Sequence, residues 1–222
     1  MPYPVFLNLK GKCCLVVGGG RVAERKIRAL LECGAQILCL GDAFTTPITK
    51  LAKKGRIKTV LRKLDHAHTF LPYLESVFLV IAATSSPGLN ARIYKDCQKR
   101  NILINAVDDL KHSNFITPSV LKRGHLSIAI STGGASPAFA KSLRHKLETS
   151  LGPEYGAFLD FMARKRKKIM SLVKGEDKRK KVFQELASSR LPNLFKKGNA
   201  QAIRKRYESI LLKHGVHREA LR

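Results

Sequence analysis

The stretch KCCLVVGGGRVAERKIRALLECGAQILCLGD, residues Lys12 to Asp42, decides how the rest of the chain is read. It opens on CCLVV (13–17), apolar at every position, as a strand covered on both faces must be. Gly18-Gly19-Gly20 follow. RVAERKIRALLECG then has the spacing of a helix, ended by Gly34. A second apolar run, QILCL (36–40), leads to Asp42. Strand, glycine turn, helix, strand and acid, in that order, make a βαβ unit and the start of a parallel sheet.

Each part of the turn has a task if the unit holds a dinucleotide. Gly18-Gly19-Gly20-Arg21-Val22-Ala23 reads GxGxxA. Gly18 permits the tight turn, Gly20 lets backbone come up to a pyrophosphate, and Ala23 keeps helix against strand. Free N–H groups and a partial positive charge at the helix start suit phosphate. Arg21 is a further phosphate partner or an ordinary solvated first-turn residue. Asp42 can accept hydrogen bonds from a ribose diol and would repel a 2′-phosphate, which favours NAD. A glycine turn by itself also serves as a bare strand-to-helix connection. The order of the surrounding parts makes dinucleotide binding the expectation here.

The alternation continues. RIKTVLRKL (56–64), SVFLVIAA (76–83) and NILINAV (101–107) predict strands, and PGLNARIYKDCQKRN predicts a helix. The expected class is α/β with a Rossmann-type parallel sheet. Beyond about residue 110 the pattern changes. HLSIAIS alternates polar and apolar, as a half-buried strand of another sheet or an interface does. ASPAFAKSLRHKLETSLG predicts a helix with Ser136 as N-cap and Pro137 at the first position. From Tyr155 onward only helices are predicted. FLDFMARKRKKIMSLV places Phe158, Phe161, Met162, Ile169, Leu172 and Val173 on one face with a basic back, and KKVFQELASSRL and AQAIRKRYESILLKHG follow. VHREALR is expected to be frayed.

Composition limits the partners. The chain has 222 residues, and its 44% apolar share supports a real core. No apolar run approaches the roughly 18 residues of a membrane span, and the N-terminus lacks a signal-peptide pattern. Five cysteines without a CxxC fit a reducing cytosol and argue against structural zinc. The net charge of +26 attracts polyanions: nucleic acid, acidic membrane or a small polycarboxylate. It is spread along the chain, with 23 Lys/Arg against 9 Asp/Glu in residues 1–150 and 19 against 7 in residues 151–222. ARKRKKIM lacks interleaved aromatics for stacking, and no helix-turn-helix emerges, so it reads as a solvated helix face.

Two further clusters carry chemistry. NAVDD (105–109) leaves the last predicted strand where open parallel sheets place their ligands, so Asp108 or Asp109 is positioned to accept a proton; either also reads as a turn aspartate. STGGASPAF (131–139) is a capped helix entry or an anion nest. His66 and His68, beside Asp65, would share a face in a strand as metal ligands can, but a surface loop is the stronger reading. There is no HExxH, no P-loop and no Ser/His/Asp grouping.

Taken together, PVFLNLKGKCCLVVGGGRVAERKIRALLECGA, IAATSSPGLN and NAVDDLKHSNFITPSVLKRGHLSIAISTGGASPAFAKSLRHKLE resemble the precorrin-2 dehydrogenases. That family also forms the amino-terminal part of siroheme synthases, and some members act as sirohydrochlorin ferrochelatases. The likeness is close over residues 3–150 and one of character beyond. GGGxVAxRK, NxVDxxxxxxFxxPS and GGxSP in one chain are more specific than a Rossmann turn.

The resemblance implies NAD-dependent oxidation of precorrin-2 to sirohydrochlorin by a cytoplasmic homodimer. It implies an NAD-binding Rossmann domain over 1–112, a small α/β dimerisation segment over 113–150 and a basic helical domain over 151–222. It puts the key aspartate on Asp108. Cofactor contacts fall on Gly18, Gly19, Gly20, Arg21, Val22, Asp42, Ala43 and Thr84. Substrate contacts fall on Asn105, Ser131, Thr132 and Gly133, with Thr132 at a position phosphate-modified in a relative. No metal site is expected. The family often has two acids where this chain has Ser85 and Ser86, which concentrates the proton-acceptor role on Asp108. Ferrochelation would need a base to strip pyrrole protons, for which Asp108 comes first and His112 and His125 follow. A polycarboxylate tetrapyrrole suits the basic charge, and neither membrane nor nucleic acid is an expected partner. The competing reading is an NAD(H)-sensing Rossmann module whose basic helices grip nucleic acid.

Overall fold

A computed structural model describes residues 2–64 and 70–221, which form two compact units, 1–117 and 118–222. His66, His68 and Asp65 lie outside the described residues.

The first unit is a five-stranded, all-parallel sheet in the order β3-β2-β1-β4-β5. Its strands are β1 (Cys13–Val17), β2 (Gln36–Gly41), β3 (Lys58–Leu61), β4 (Leu79–Ala82) and β5 (Leu103–Ala106). Helices α1 (Arg21–Glu32), α2 (Thr46–Lys53) and α3 (Pro87–Lys99) connect β1 to β2, β2 to β3 and β4 to β5. Successive side chains of a strand point to opposite faces, and the core divides accordingly. Leu15, Val17, Val80 and Ile104 pack with Leu89, Ile93 and Cys97 of α3. Cys14, Val16, Cys39 and Ile81 pack with Ala23 and Ile27 of α1 and Ile48 of α2. A sheet buried on both sides explains why its strands read as unbroken apolar runs. The strand predicted over 56–64 is shorter, 58–61. Helix α2 has too few turns to show a period in the sequence.

All five thiols belong to this unit, and three of them are buried in its core. Burial pushes Cys14 up to about 11 and Cys39 and Cys97 up to about 12. They stay protonated and act as small apolar side chains. Native protein given a thiol reagent is expected to lose exposed Cys33 and half-buried Cys13 first, and the other three only on unfolding. Immediate reaction of all five would contradict this packing.

The second unit pairs β6 (Ser119–Arg123) with β7 (Leu126–Ile130) in an antiparallel hairpin. Strand β6 was not evident from sequence, because SVLKR offers only one buried side chain, Leu121. Helix α4 (Pro137–Ser150) follows, with the Ser136 hydroxyl accepting from Phe139 N. Arg123 binds the carbonyls of Leu151 and Glu148 at the C-terminal end of that helix. Helices α5 (Pro153–Leu172), α6 (Glu176–Ser188), α7 (Leu191–Lys196) and α8 (Ala200–Lys213) enclose a separate core. Phe158, Ile169 and Val173 are buried in it as the pattern requires, and Phe161, Met162 and Leu172 are packed at its margin. The last residues are better ordered than expected: Val216 is buried and 218–221 make a 3₁₀ turn.

Tyr207 is 5% exposed in this core, and its hydroxyl has no hydrogen-bond partner among the described residues. An unpaired buried hydroxyl costs about 1–3 kcal/mol. Tyr207→Phe is therefore expected to raise stability by about 1 kcal/mol, seen as a higher Tm. A lower Tm would mean that the hydroxyl has a partner after all.

Candidate functional site

The strand order reverses between β1 and β4, and parallel sheets bind ligands at such a switch point, beyond the carboxyl ends of the strands. The glycine turn follows β1, Asp42 and Ala43 follow β2, Thr84 follows β4 and Asp108 follows β5. The topology thus brings all the expected cofactor contacts and the expected base to one sheet edge.

The three glycines are needed for three different reasons. Gly18 has φ +117°, and a Cβ there would lie 2.3 Å from the Ala83 carbonyl oxygen. A Cβ on Gly19 would lie 1.7 Å from the Ala43 carbonyl oxygen, so this glycine admits the loop after β2. That loop is also held by Thr45, whose N–H donates to Gly19 O and whose hydroxyl donates to Glu24. Gly20 is different. Its φ is −82°, and a Cβ there would meet no atom of the described residues within 4 Å. Among the described residues nothing requires glycine at this position. The space in front of it, at the start of α1, is where a pyrophosphate would lie, and the residues present fit a dinucleotide. Ala23 is fully buried beneath the helix, and Asp42 is exposed at the sheet edge.

The loop after β5 separates the two aspartates. Asp109 is fully engaged: its Oδ1 accepts from Lys111 N and His112 N at 3.1 and 3.2 Å, and its Oδ2 accepts from His112 Nδ1 at 2.5 Å. The His112 hydrogen bond is the main cause holding the Asp109 carboxyl below the usual range. Asp108 is exposed at φ +60°, a left-handed conformation that Asp and Asn tolerate better than most residues. No hydrogen bond holds its carboxylate among the described residues, so it is available to a ligand.

Other expected contacts have structural tasks. Asn105 is 7% exposed, and its amide donates to Phe115 O at 3.1 Å, pinning the returning segment beside β5. The Thr84 hydroxyl donates to Asn90 Oδ1 at 2.7 Å and accepts from Ser86 N, which shapes the entry to α3. Ser86 caps α3 through Leu89 N, so the serines in place of acids include a helix cap. Ser131, Thr132 and Gly133 belong to the second unit. There the Ser131 hydroxyl accepts from Gly133 N and Thr132 Oγ1 accepts from Ser136 N. His112 is paired with Asp109, and His125 in the second unit is paired with Asp160 at 2.6 Å. Sequence reasoning missed Lys26, whose ammonium donates to Thr117 Oγ1 at 2.6 Å. Among the described residues no group of three or more His, Cys, Asp or Glu is placed to hold a metal ion, and no helix is long and apolar enough to cross a membrane.

Known proteins carry the same pattern. The family model described as "Putative NAD(P)-binding" matches residues 5–119, and the one described as "Sirohaem biosynthesis protein central" matches residues 123–150. The siroheme synthase of Mannheimia succiniciproducens is 33% identical over 211 residues, covering 95% of this chain and 43% of that protein. Siroheme synthase 1 of Aeromonas salmonicida is 37% identical over 186 residues, 84% of this chain and 39% of the relative. The chain therefore spans less than half the length of these curated relatives. Among solved structures, SirC, a precorrin-2 dehydrogenase, superposes with a TM-score of 0.77 at 27% identity, covering 94% of this chain and 98% of that one.

Proposed function

This chain belongs to the family of precorrin-2 dehydrogenases and siroheme synthases, and from that premise we propose that it oxidises precorrin-2 to sirohydrochlorin with NAD. The observation that carries the reading is Gly20: a glycine whose side-chain space is empty of the described residues, at the start of the helix on the sheet edge that also bears Asp108. When bound, NAD supplies the hydride acceptor. The protein does the rest. Gly18, Gly19, Gly20, Arg21 and Val22 seat the pyrophosphate, and Asp42 with Ala43 meets the adenosine ribose. Asp108 accepts the proton that leaves the macrocycle as the hydride departs. The net change is loss of one hydride and one proton from the substrate, with no other oxidant needed.

The same proposal covers the surroundings. The Rossmann part runs over 1–112, the dimerisation segment over 113–150 and the basic helical part over 151–222. A second copy would cover the outward face of the two-stranded sheet, where Val120 is 38% exposed, together with Phe139, 59% exposed. A hairpin of two strands is marginal alone, which favours such a cover. The excess of cations would gather a polycarboxylate tetrapyrrole, and the cytoplasm is the proposed location.

The test is anaerobic incubation of the protein with precorrin-2 and NAD⁺ while the tetrapyrrole absorbance is followed. Conversion to the sirohydrochlorin spectrum is expected, with NADH formed in equal amount. An unchanged spectrum would reject the reading.

A further inference from the structure

Among the described residues Lys26 makes no ion pair. It lies in the second turn of α1 and is half-buried. Its ammonium donates to a neutral acceptor, the hydroxyl of Thr117, at 2.6 Å. Among the described residues no carboxylate is within ion-pair distance of it. Burial and then its neighbour Arg25 push its pKa down, while the Asp108 carboxylate acts in the other direction. Burial disfavours the charged form, and Asp108 offsets this without reaching ion-pair distance, so the ammonium has room for a further anion.

Its position says which anion. Side chains on a helix lean toward the helix N-terminus. The Lys26 side chain therefore reaches back over the turn of Val22 and Ala23, toward the sheet edge where Asp108 stands. Thr117, its present partner, closes the segment that returns along β5, where Asn114 donates to Ile102 O and accepts from Ile104 N. The ammonium thus lies on the β5 side of α1, away from Asp42 and the proposed ribose position at the end of β2. An anion it receives belongs to the molecule facing Asp108, not to the adenosine half of a dinucleotide.

We propose that Lys26 receives a carboxylate of the substrate and so positions the macrocycle against Asp108, releasing the Thr117 hydroxyl as it does. This rests on the function proposed above and adds to it the residue that reads the substrate's acid arms. Lys26 is a positioning residue; it takes no part in the hydride or proton transfer.

The test is equilibrium binding to the full chain by tetrapyrrole fluorescence, with sirohydrochlorin as the probe and NAD⁺ affinity and Tm measured in parallel. Lys26→Met, which keeps the length and loses the charge, is expected to weaken sirohydrochlorin binding at least about tenfold, as loss of a close charge partner does. NAD⁺ affinity should stay within about twofold of the parent, and Lys26→Arg should restore most of the tetrapyrrole affinity. Thr117→Val should bind sirohydrochlorin like the parent. If Lys26→Met binds it normally, or if Thr117→Val loses as much as Lys26→Met, the ammonium is only a clip and the inference fails while the proposed function stands. If the unmodified protein binds NAD⁺ but no tetrapyrrole, the proposed function fails and the inference with it.

Discussion

Gly20→Val is expected to fold normally and to lose NAD⁺ binding by at least about a hundredfold, or about 2.7 kcal/mol. The two halves of this expectation have separate physical grounds. Folding is spared because the backbone at Gly20 has an ordinary φ and the added atoms meet no protein. Valine is a poor N-cap, which costs about 1 kcal/mol and a few degrees of Tm. Binding is lost because the isopropyl group fills the space in which phosphate oxygens approach the free N–H groups of α1. Gly18 and Gly19 cannot serve this purpose. A side chain at either collides with a carbonyl oxygen of the neighbouring loop, so those variants would confuse folding with binding. Calorimetric titration with NAD⁺, beside a melting curve, checks both halves. A Gly20→Val protein that still binds NAD⁺ would make the turn a plain connection.

Asp108→Asn is expected to leave NAD⁺ affinity within about twofold and to cut kcat at least about a hundredfold, the usual loss for a general base. Asparagine is the informative replacement. It tolerates the left-handed backbone at this position, whereas alanine adds strain. It also keeps the size and polarity of the side chain while removing the proton acceptor. Steady-state oxidation of precorrin-2 measures the effect. Unchanged turnover would remove Asp108 from the chemistry. Asp109 is no substitute, since both its oxygens are occupied by His112 and Lys111.

Much of this was legible in the sequence because it is local. The strand–turn–helix at 13–32, the N-cap at Ser136 and the helices after Tyr155 all declare themselves by short spacing. Features built from distant residues did not. Gly19 reads as the variable position of GxGxxA, and only the loop after β2 passing over it makes glycine necessary. Asp108 and Asp109 look equivalent side by side; the fold gives one a left-handed backbone and free oxygens and the other a histidine. Asn105 and Thr84, expected as ligand contacts, also fasten β5 and the start of α3, a task that no sequence spacing shows. Lys26 stands in the sequence only as the last position of GGGxVAxRK, with no task assigned to it. Its partner lies 91 residues away, beyond any periodicity.

The nucleic-acid alternative has lost ground for a related reason. It rested on closely spaced cations in residues 164–168, but two of these side chains lie over aromatic rings of the helical core. Lys165 stands over Phe161 and Tyr207, and Arg166 over Phe183. Part of the basic run therefore serves packing. The siroheme synthase relatives and the precorrin-2 dehydrogenase structure point the other way.

The most direct measurement is a crystal structure of the protein with NAD⁺ and sirohydrochlorin bound together. The pyrophosphate should rest on the backbone of Gly18 to Val22, with the nicotinamide ring and the macrocycle facing the Asp108 carboxylate. A dinucleotide seated elsewhere, or a macrocycle bound away from Asp108, would contradict the account.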